Sequence, residues 1–195
     1  MDTIVLKTDA LRMTEEEFFN LCQQNRELRM ERDKNQNIFI MSPTSYETSR
    51  LNNKLSYQLT LWNEKHKLGE VFESNAGYTL ANKAIRSPDV SWVSKVRHNA
   101  LPMIERKRFA HICPDFVIEL KSDSDSLKQL KEKMQEWIEN GCKLGWLIDT
   151  EERKVYIYRS TGNNSEMNFG EKITGENVLP GFVLDINFMD EIMKE

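Results

Sequence analysis

The sequence predicts an α+β chain with an α/β-type core, a mixed β-sheet flanked by helices, and three observations carry that expectation. Hydrophobic residues recur at helical spacing in some stretches and gather into short β-favouring runs in others. One stretch spells a whole crossover, with an apolar strand at 115–121, a helix at 126–140 and a second apolar strand at 144–148. No repeat, low-complexity stretch or linker divides the 195 residues, and that length suits one domain over 1–195.

Thr14 and Glu17 form a capping box ahead of Phe18, Phe19, Leu21 and Cys22, which predicts a helix over 14–25. Segments 28–32 and 38–41 flank a polar cluster at 33–37 and read as an antiparallel hairpin ended by Pro43. Leu51, Leu55, Leu59 and Trp62 predict a long helix over 49–66, with Gly69 in its cap region. Short strands at 69–73, 77–80 and 89–93 follow as a meander, the last preceded by Pro88 where a strand's first residues tolerate proline. Residues 97–112 read as a loop with a short helical piece. The Ser/Asp run at 122–126 supplies N-caps for a helix whose core stripe is Leu127, Leu130, Met134, Trp137 and Ile138, with Gly141 as C-cap. A turn at 149–154 leads to a strand at 155–158, and a last strand with a turn at Pro180-Gly181 is expected within 178–188.

Composition narrows the class. Cys22, Cys113 and Cys142 are odd in number and widely spaced, which argues against a disulfide framework or a C-x-x-C metal site and for a reducing cytoplasm. No segment approaches the roughly 20 apolar residues that span a bilayer, so no membrane partner is expected. The net charge of −4 means that a nucleic-acid partner needs a local basic surface. Lys95, Arg97, His98, Arg106, Lys107 and Arg108, then Lys128, Lys131 and Lys133, offer one; they serve equally well as solvated surface. His66, His98 and His111 have no metal-ligand spacing.

The chemically informative run is PDFVIELK at 114–121. Phe116, Val117, Ile118 and Leu120 read as a buried strand, whose two-residue period puts Asp115, Glu119 and Lys121 on one face. A buried Glu beside a Lys must be paired or hold a metal. Other E-x-K pairs, Glu105/Lys107 and Glu152/Lys154, lie in polar stretches and read as solvated faces. Asp89, in the run IRSPDVSWV at 85–93, offers a second carboxylate at the start of another strand.

Pro88-Asp89, then Glu119-Leu-Lys121 and the crossover, resemble the core of the PD-(D/E)XK nucleases. RMER at 29–32, MSP at 41–43, RSPDVSWV at 86–93, CPDFVIELKS at 113–122, KMQEWIENG at 133–141, GWLID at 145–149 and LPGF at 179–182 are together similar to the Uma-two family, restriction-endonuclease-like proteins abundant in cyanobacteria. The resemblance runs from about 14 to 188. It implies a restriction-endonuclease-like mixed sheet flanked by helices and a Mg²⁺- or Mn²⁺-dependent DNA endonuclease. Asp89 and Glu119 would be metal ligands, Lys121 the charge that orients water or stabilises the transition state, and Glu31 an additional acidic site residue. Many members replace the E-x-K lysine and use a basic residue on the next helix, which makes Lys133 a second candidate. Many also carry a His after the Ser-Pro, whereas 45–50 here has none.

The chemistry is consistent with that set. Phosphodiester hydrolysis needs an activated water and compensation of developing negative charge, which a carboxylate-held Mg²⁺ provides. Asp115 is the runner-up ligand, with a strand-start residue as its plainer reading. The plainer readings elsewhere are a structural Glu119–Lys121 ion pair, a Lys133 that snorkels from the core edge, and core roles for Trp92, Trp137 and Trp146. A homodimer would suit cutting of both duplex strands. Two other functions stay open: a nucleic-acid-binding or regulatory protein on a nuclease scaffold, or a purely structural partner of another protein.

Overall fold

The computed structural model describes residues 4–8, 13–123 and 125–194, excluding the side chains of 193–194; Ser124 of the expected cap lies outside these. In chain order the elements are β1 (Ile4–Leu6), α1 (Glu15–Gln24), β2 (Arg29–Arg32), β3 (Ile38–Met41), α2 (Tyr46–His66), β4 (Gly69–Glu73), β5 (Tyr78–Thr79), β6 (Ile85–Arg86), β7 (Val90–Ser94), α3 (Lys95–Ala100), β8 (Phe116–Lys121), α4 (Leu127–Glu139), β9 (Leu144–Asp149), β10 (Lys154–Arg159), β11 (Ser165–Asn168), β12 (Lys172–Thr174), β13 (Val183–Asp185) and α5 (Phe188–Lys194). The main sheet has the order β11-β10-β9-β8-β7-β4, a second sheet the order β1-β3-β2-β6-β5, and β12 pairs with β13.

In the main sheet β8 and β9 are parallel and joined through α4, while β7–β8 and β9–β10 are antiparallel. The expected α+β class and mixed sheet are therefore what the chain forms. Alternation along β8 builds two core layers. Phe116, Ile118 and Leu120 pack with Trp146, Ile148 and the Leu51-Leu55-Leu59-Trp62 stripe of α2, whereas Val117 packs with Met134 and Trp137 of α4. α1 covers the second sheet through Phe18 against Met30, Ile38 and Ile85.

Local chemistry explains the helix ends. The Thr14–Glu17 capping box forms as expected. α2 starts at Tyr46, three residues before the expected start at 49, because the Ser45 side chain accepts from Thr48 N and caps it. It ends at Lys67, in the left-handed region (φ 54°), rather than at a glycine. Gly69 has another reason to be glycine: a Cβ there would lie 2.2 Å from Val93 O and 2.5 Å from the Trp92 ring. After α4, Gly141 takes φ 108° and Cys142 N closes on Trp137 O, the glycine-stopped end that was predicted.

Two expectations change, and one strand is new. The 69–93 meander divides between sheets: β4 pairs with β7, while β5 and β6 extend the second sheet beside β2. β1 joins the edge of β3, although Ile4, Val5 and Leu6 are all exposed. The tail is not one strand over 178–188; it is a β12–β13 hairpin followed by α5, whose Met189 and Ile192 enter the core.

Candidate active site

The register of the main sheet brings Asp89 and Glu119 together. β7 runs antiparallel to β8 with Val90 opposite Ile118, so Asp89, one residue earlier, stands beside the end of β8. There Leu120 N donates to Asp89 Oδ2 at 2.8 Å. Glu119, on the α4 face of β8, accepts from Trp137 Nε1 at 2.9 Å. Lys133, one helical turn before Trp137, reaches the same carboxylate, its Nζ lying 3.0 Å from Oε1 and 3.2 Å from Oε2. Glu31 arrives from the second sheet: Arg32 opposite Ile85 joins β2 to β6, and Ser87 just beyond β6 donates its N–H to Glu31 Oε1 at 3.1 Å.

These groups form one charge network. Lys133 Nζ is 2.9 Å from Glu31 Oε1 and 3.1 Å from Ser87 O. Arg86 pairs with Glu31 Oε2 at 3.2 Å and with Glu136 Oε2 at 2.6 Å. Glu31 and Glu119 are each only 4% exposed at the side chain, so unpaired charge there would be costly. The three carboxylates respond differently. Burial pushes Glu119 up to about 7, with the charges of Asp89 and Glu31 adding to the effect and Lys133 opposing it. Burial likewise raises Asp89, against the pull of Arg29 and the Leu120 N–H. For Glu31 burial acts upward too, but Lys133 and Arg86 outweigh it and hold the carboxyl below its usual range. Burial disfavours the Lys133 ammonium, yet Glu119 and Glu31 prevail and raise it.

Asp89, Glu119 and Lys133 line a cleft of about 630 Å³ whose rim includes Arg29, Ser45 and Asn52. Arg29 Nη2 lies 3.8 Å from Asp89 Oδ1, and Asn52 Nδ2 donates to the same oxygen at 3.4 Å. Glu31 lines a neighbouring cleft of about 560 Å³, and Lys133 borders both.

Two predicted residues lie elsewhere. Lys121 shares the strand face of Glu119 but not its contacts: at the end of β8 it stands in register with Asp149, and its Nζ pairs with Glu151 at 2.7 Å and Asp149 at 3.6 Å. No Glu119–Lys121 ion pair forms. Asp115 sits at the other end of β8, about 13 Å along the strand from Glu119, where it binds Ser94 N at 2.8 Å and pairs with Lys143 at 2.8 Å and Arg97 at 3.1 Å. That position corrects its candidacy as a ligand beside Glu119. Lys133 is corrected in the other direction, because its ammonium points inward to two carboxylates and does not snorkel. The basic run 95–108 leaves the far end of β7, the end where Asp115 sits, so it does not border the cleft; Arg97 and Arg108 are spent on Asp115 and Glu16.

With this geometry in view, comparison with known proteins is decisive. The Uma2 family model, described as "Putative restriction endonuclease", matches residues 15–187. The chain belongs to the Uma2 family. A crystal structure described as "a putative nuclease belonging to DUF820", from Anabaena variabilis ATCC 29413, matches this Uma2 protein with a TM-score of 0.76 at 20% identity, covering 93% of this chain and 99% of that one. At that identity the likeness is one of fold, and the restriction-endonuclease-like fold is the expected one. None of the curated proteins matches.

Among the described residues no three His, Cys, Asp or Glu side chains are grouped to hold a metal, and no helix is long and apolar enough to cross a membrane. The acidic donors of this Uma2 protein's cleft are the Asp89–Glu119 pair and, on the loop after β8, Asp123 and Asp125. Reading the sequence by faces missed the polar role of Trp137, the tie from Arg86 to Glu31 and the Asn52 contact. The spacing of Lys133, Glu136 and Trp137 was the available signal, since three- and four-residue steps put all three on one side of α4.

Proposed function

We propose that this Uma2 protein is a divalent-metal-dependent nuclease that hydrolyses DNA phosphodiester bonds in the 630 Å³ cleft, with Asp89 and Glu119 as metal ligands and Lys133 in the role of the catalytic lysine. The observation that supports this most is the convergence on one cleft of two largely enclosed carboxylates whose protonation is favoured by burial, with the charge of Asp89 adding to it at Glu119, a state that a bound cation relieves. The donor chemistry fits Mg²⁺ or Mn²⁺, which prefer oxygen ligands; Mg²⁺ is commonly held by one or two carboxylates completed by water and substrate oxygens. Such an ion supplies Lewis acidity and a more acidic bound water.

The side chains account for the rest. Trp137 fixes the orientation of Glu119 through its N–H. Lys133 supplies a positive charge near the phosphate as water adds to phosphorus and the bond to the leaving oxygen breaks. Arg29 lines the cleft beside Asp89, where its guanidinium would meet a passing phosphate. Two copies related by a two-fold axis would cut both strands of a duplex.

Supercoiled plasmid incubated with Mn²⁺ should be nicked by the wild-type protein, and Asp89→Asn and Glu119→Gln should each lose that activity by more than about 100-fold. Undiminished nicking by either variant would sink the site assignment. DNA binding that weakens with salt and yields no products in any divalent metal would favour the non-cutting scaffold.

A further inference from the structure

Lys133 has three anchors, and only one of them belongs to the carboxylate pair. Its Nζ contacts Glu119 Oε1 and Oε2 at 3.0 and 3.2 Å, Glu31 Oε1 at 2.9 Å and Ser87 O at 3.1 Å. An ammonium has three donors, so this set is complete. A divalent cation on Glu119 would take the oxygens that Lys133 now holds, and two cations cannot share them at contact distance without strong repulsion. The other two anchors remain free of that conflict.

Glu31 is built to stay where it is. Ser87 N and Arg86 Nη1 bind its two oxygens at 3.1 and 3.2 Å, and Arg86 is itself tied to Glu136, whose other oxygen accepts from Asn82 at 2.8 Å. Its carboxylate borders the 560 Å³ cleft and not the one lined by Asp89 and Glu119, and the Lys133 ammonium touches both Glu31 and Glu119. A residue so placed cannot easily serve as a third ligand, yet it can control the cation that competes for the second.

We infer that Glu31 is a positioning residue that draws Lys133 off Glu119 when a divalent cation binds, and keeps the ammonium beside the metal instead of in its place. This rests on Asp89 and Glu119 being the metal site. The consequence is a coupling: removing the charge of Glu31 leaves Lys133 to lean on Glu119 and obstruct the metal, but only while Lys133 is present.

The test is calorimetric titration of Mn²⁺ into wild-type protein, Asp89→Asn, Glu31→Gln, Lys133→Met and the Glu31→Gln/Lys133→Met double variant, each checked by circular dichroism. Glu31→Gln should weaken Mn²⁺ binding about tenfold or more in the wild-type background, and by less than about threefold when Lys133 is already Met. Equal weakening in both backgrounds would mean that Glu31 acts on the metal directly and would overturn the positioning role, while loss of binding in Asp89→Asn would leave the site assignment standing. Absence of Mn²⁺ binding in the wild type would overturn both. Should Glu31→Gln not fold, Glu31→Asp, which shortens the reach to Lys133 but keeps the charge for Arg86, must give the same dependence on Lys133.

Discussion

Two lysines twelve positions apart both carry raised pKa values, but they keep different partners. Burial works against the Lys121 ammonium, but Glu151 and Asp149 more than offset it. None of the three lines the cleft, and Asp149 is fully buried beside it. Lys133 instead borders the cleft with Glu119 and Glu31 as counter-ions. Lys133→Met should reduce Mn²⁺-dependent nicking by about 10²–10³-fold, whereas Lys121→Met should cut at close to the wild-type rate and melt at lower temperature, at a cost of about 1–3 kcal/mol for the stranded Asp149. Plasmid nicking and thermal melts of the two variants check this together; a dead Lys121→Met with an active Lys133→Met would restore the E-x-K lysine to the catalytic role.

At the scale of elements, α1 matters because it clamps the sheet that carries Glu31 and Arg29. Phe18 and Phe19 of α1 pack on Phe109, with ring centroids at 6.0 and 5.2 Å, and His111 bridges Glu15 of α1 to Glu105 at 2.7 Å on each side. The Glu105 hydrogen bond, and then Glu15, raise the His111 pKa above its ordinary value against some desolvation. A pKa raised by folding contributes stability that is fully present below the unfolded value and disappears as pH rises through the folded one. His111→Ala should therefore melt lower than wild type at about pH 5.5 and equal to it at about pH 9. Because the bridge is exposed, the difference should stay within about 2 °C. A pH-independent difference in scanning calorimetry would show that the imidazole contributes packing instead of charge.

At the scale of the whole molecule, electrostatics bears on the proposed DNA binding. The chain carries a formal charge of −4. The cleft places Asp89, Glu119, Asp123 and Asp125 against Arg29 and Lys133, and the basic run 95–108 lies at the other end of the sheet. On the proposed nuclease reading this excess of acids over bases disfavours a phosphate backbone until a cation binds, so affinity for a duplex oligonucleotide should rise by more than about tenfold when Ca²⁺ replaces EDTA. Fluorescence anisotropy measures this directly, and equal affinity in both buffers would place the DNA on another surface.

The same division of scale separates what was legible in the residues from what was not. The crossover through α4, the stripes of α2 and α4 and the glycine stop at Gly141 were readable because each depends on neighbours within a turn or two. Asp89 and Glu119 were readable as types in a pattern, since enclosed carboxylates at strand ends need a reason. β1 was not, because its apolar residues stay exposed and edge pairing alone makes the strand. The partners of the lysines were not either. A two-residue period assigns Lys121 to a face, but the parallel register with β9 hands it to Asp149. The meeting of Lys133 with Glu31 joins α4 to the second sheet across 102 positions. Sequence by itself determined the family, the mixed sheet and the kind of charges the site contains; only tertiary packing decided which lysine faces which carboxylate, because ion-pair partners are chosen by distance and burial across elements and not by spacing along one.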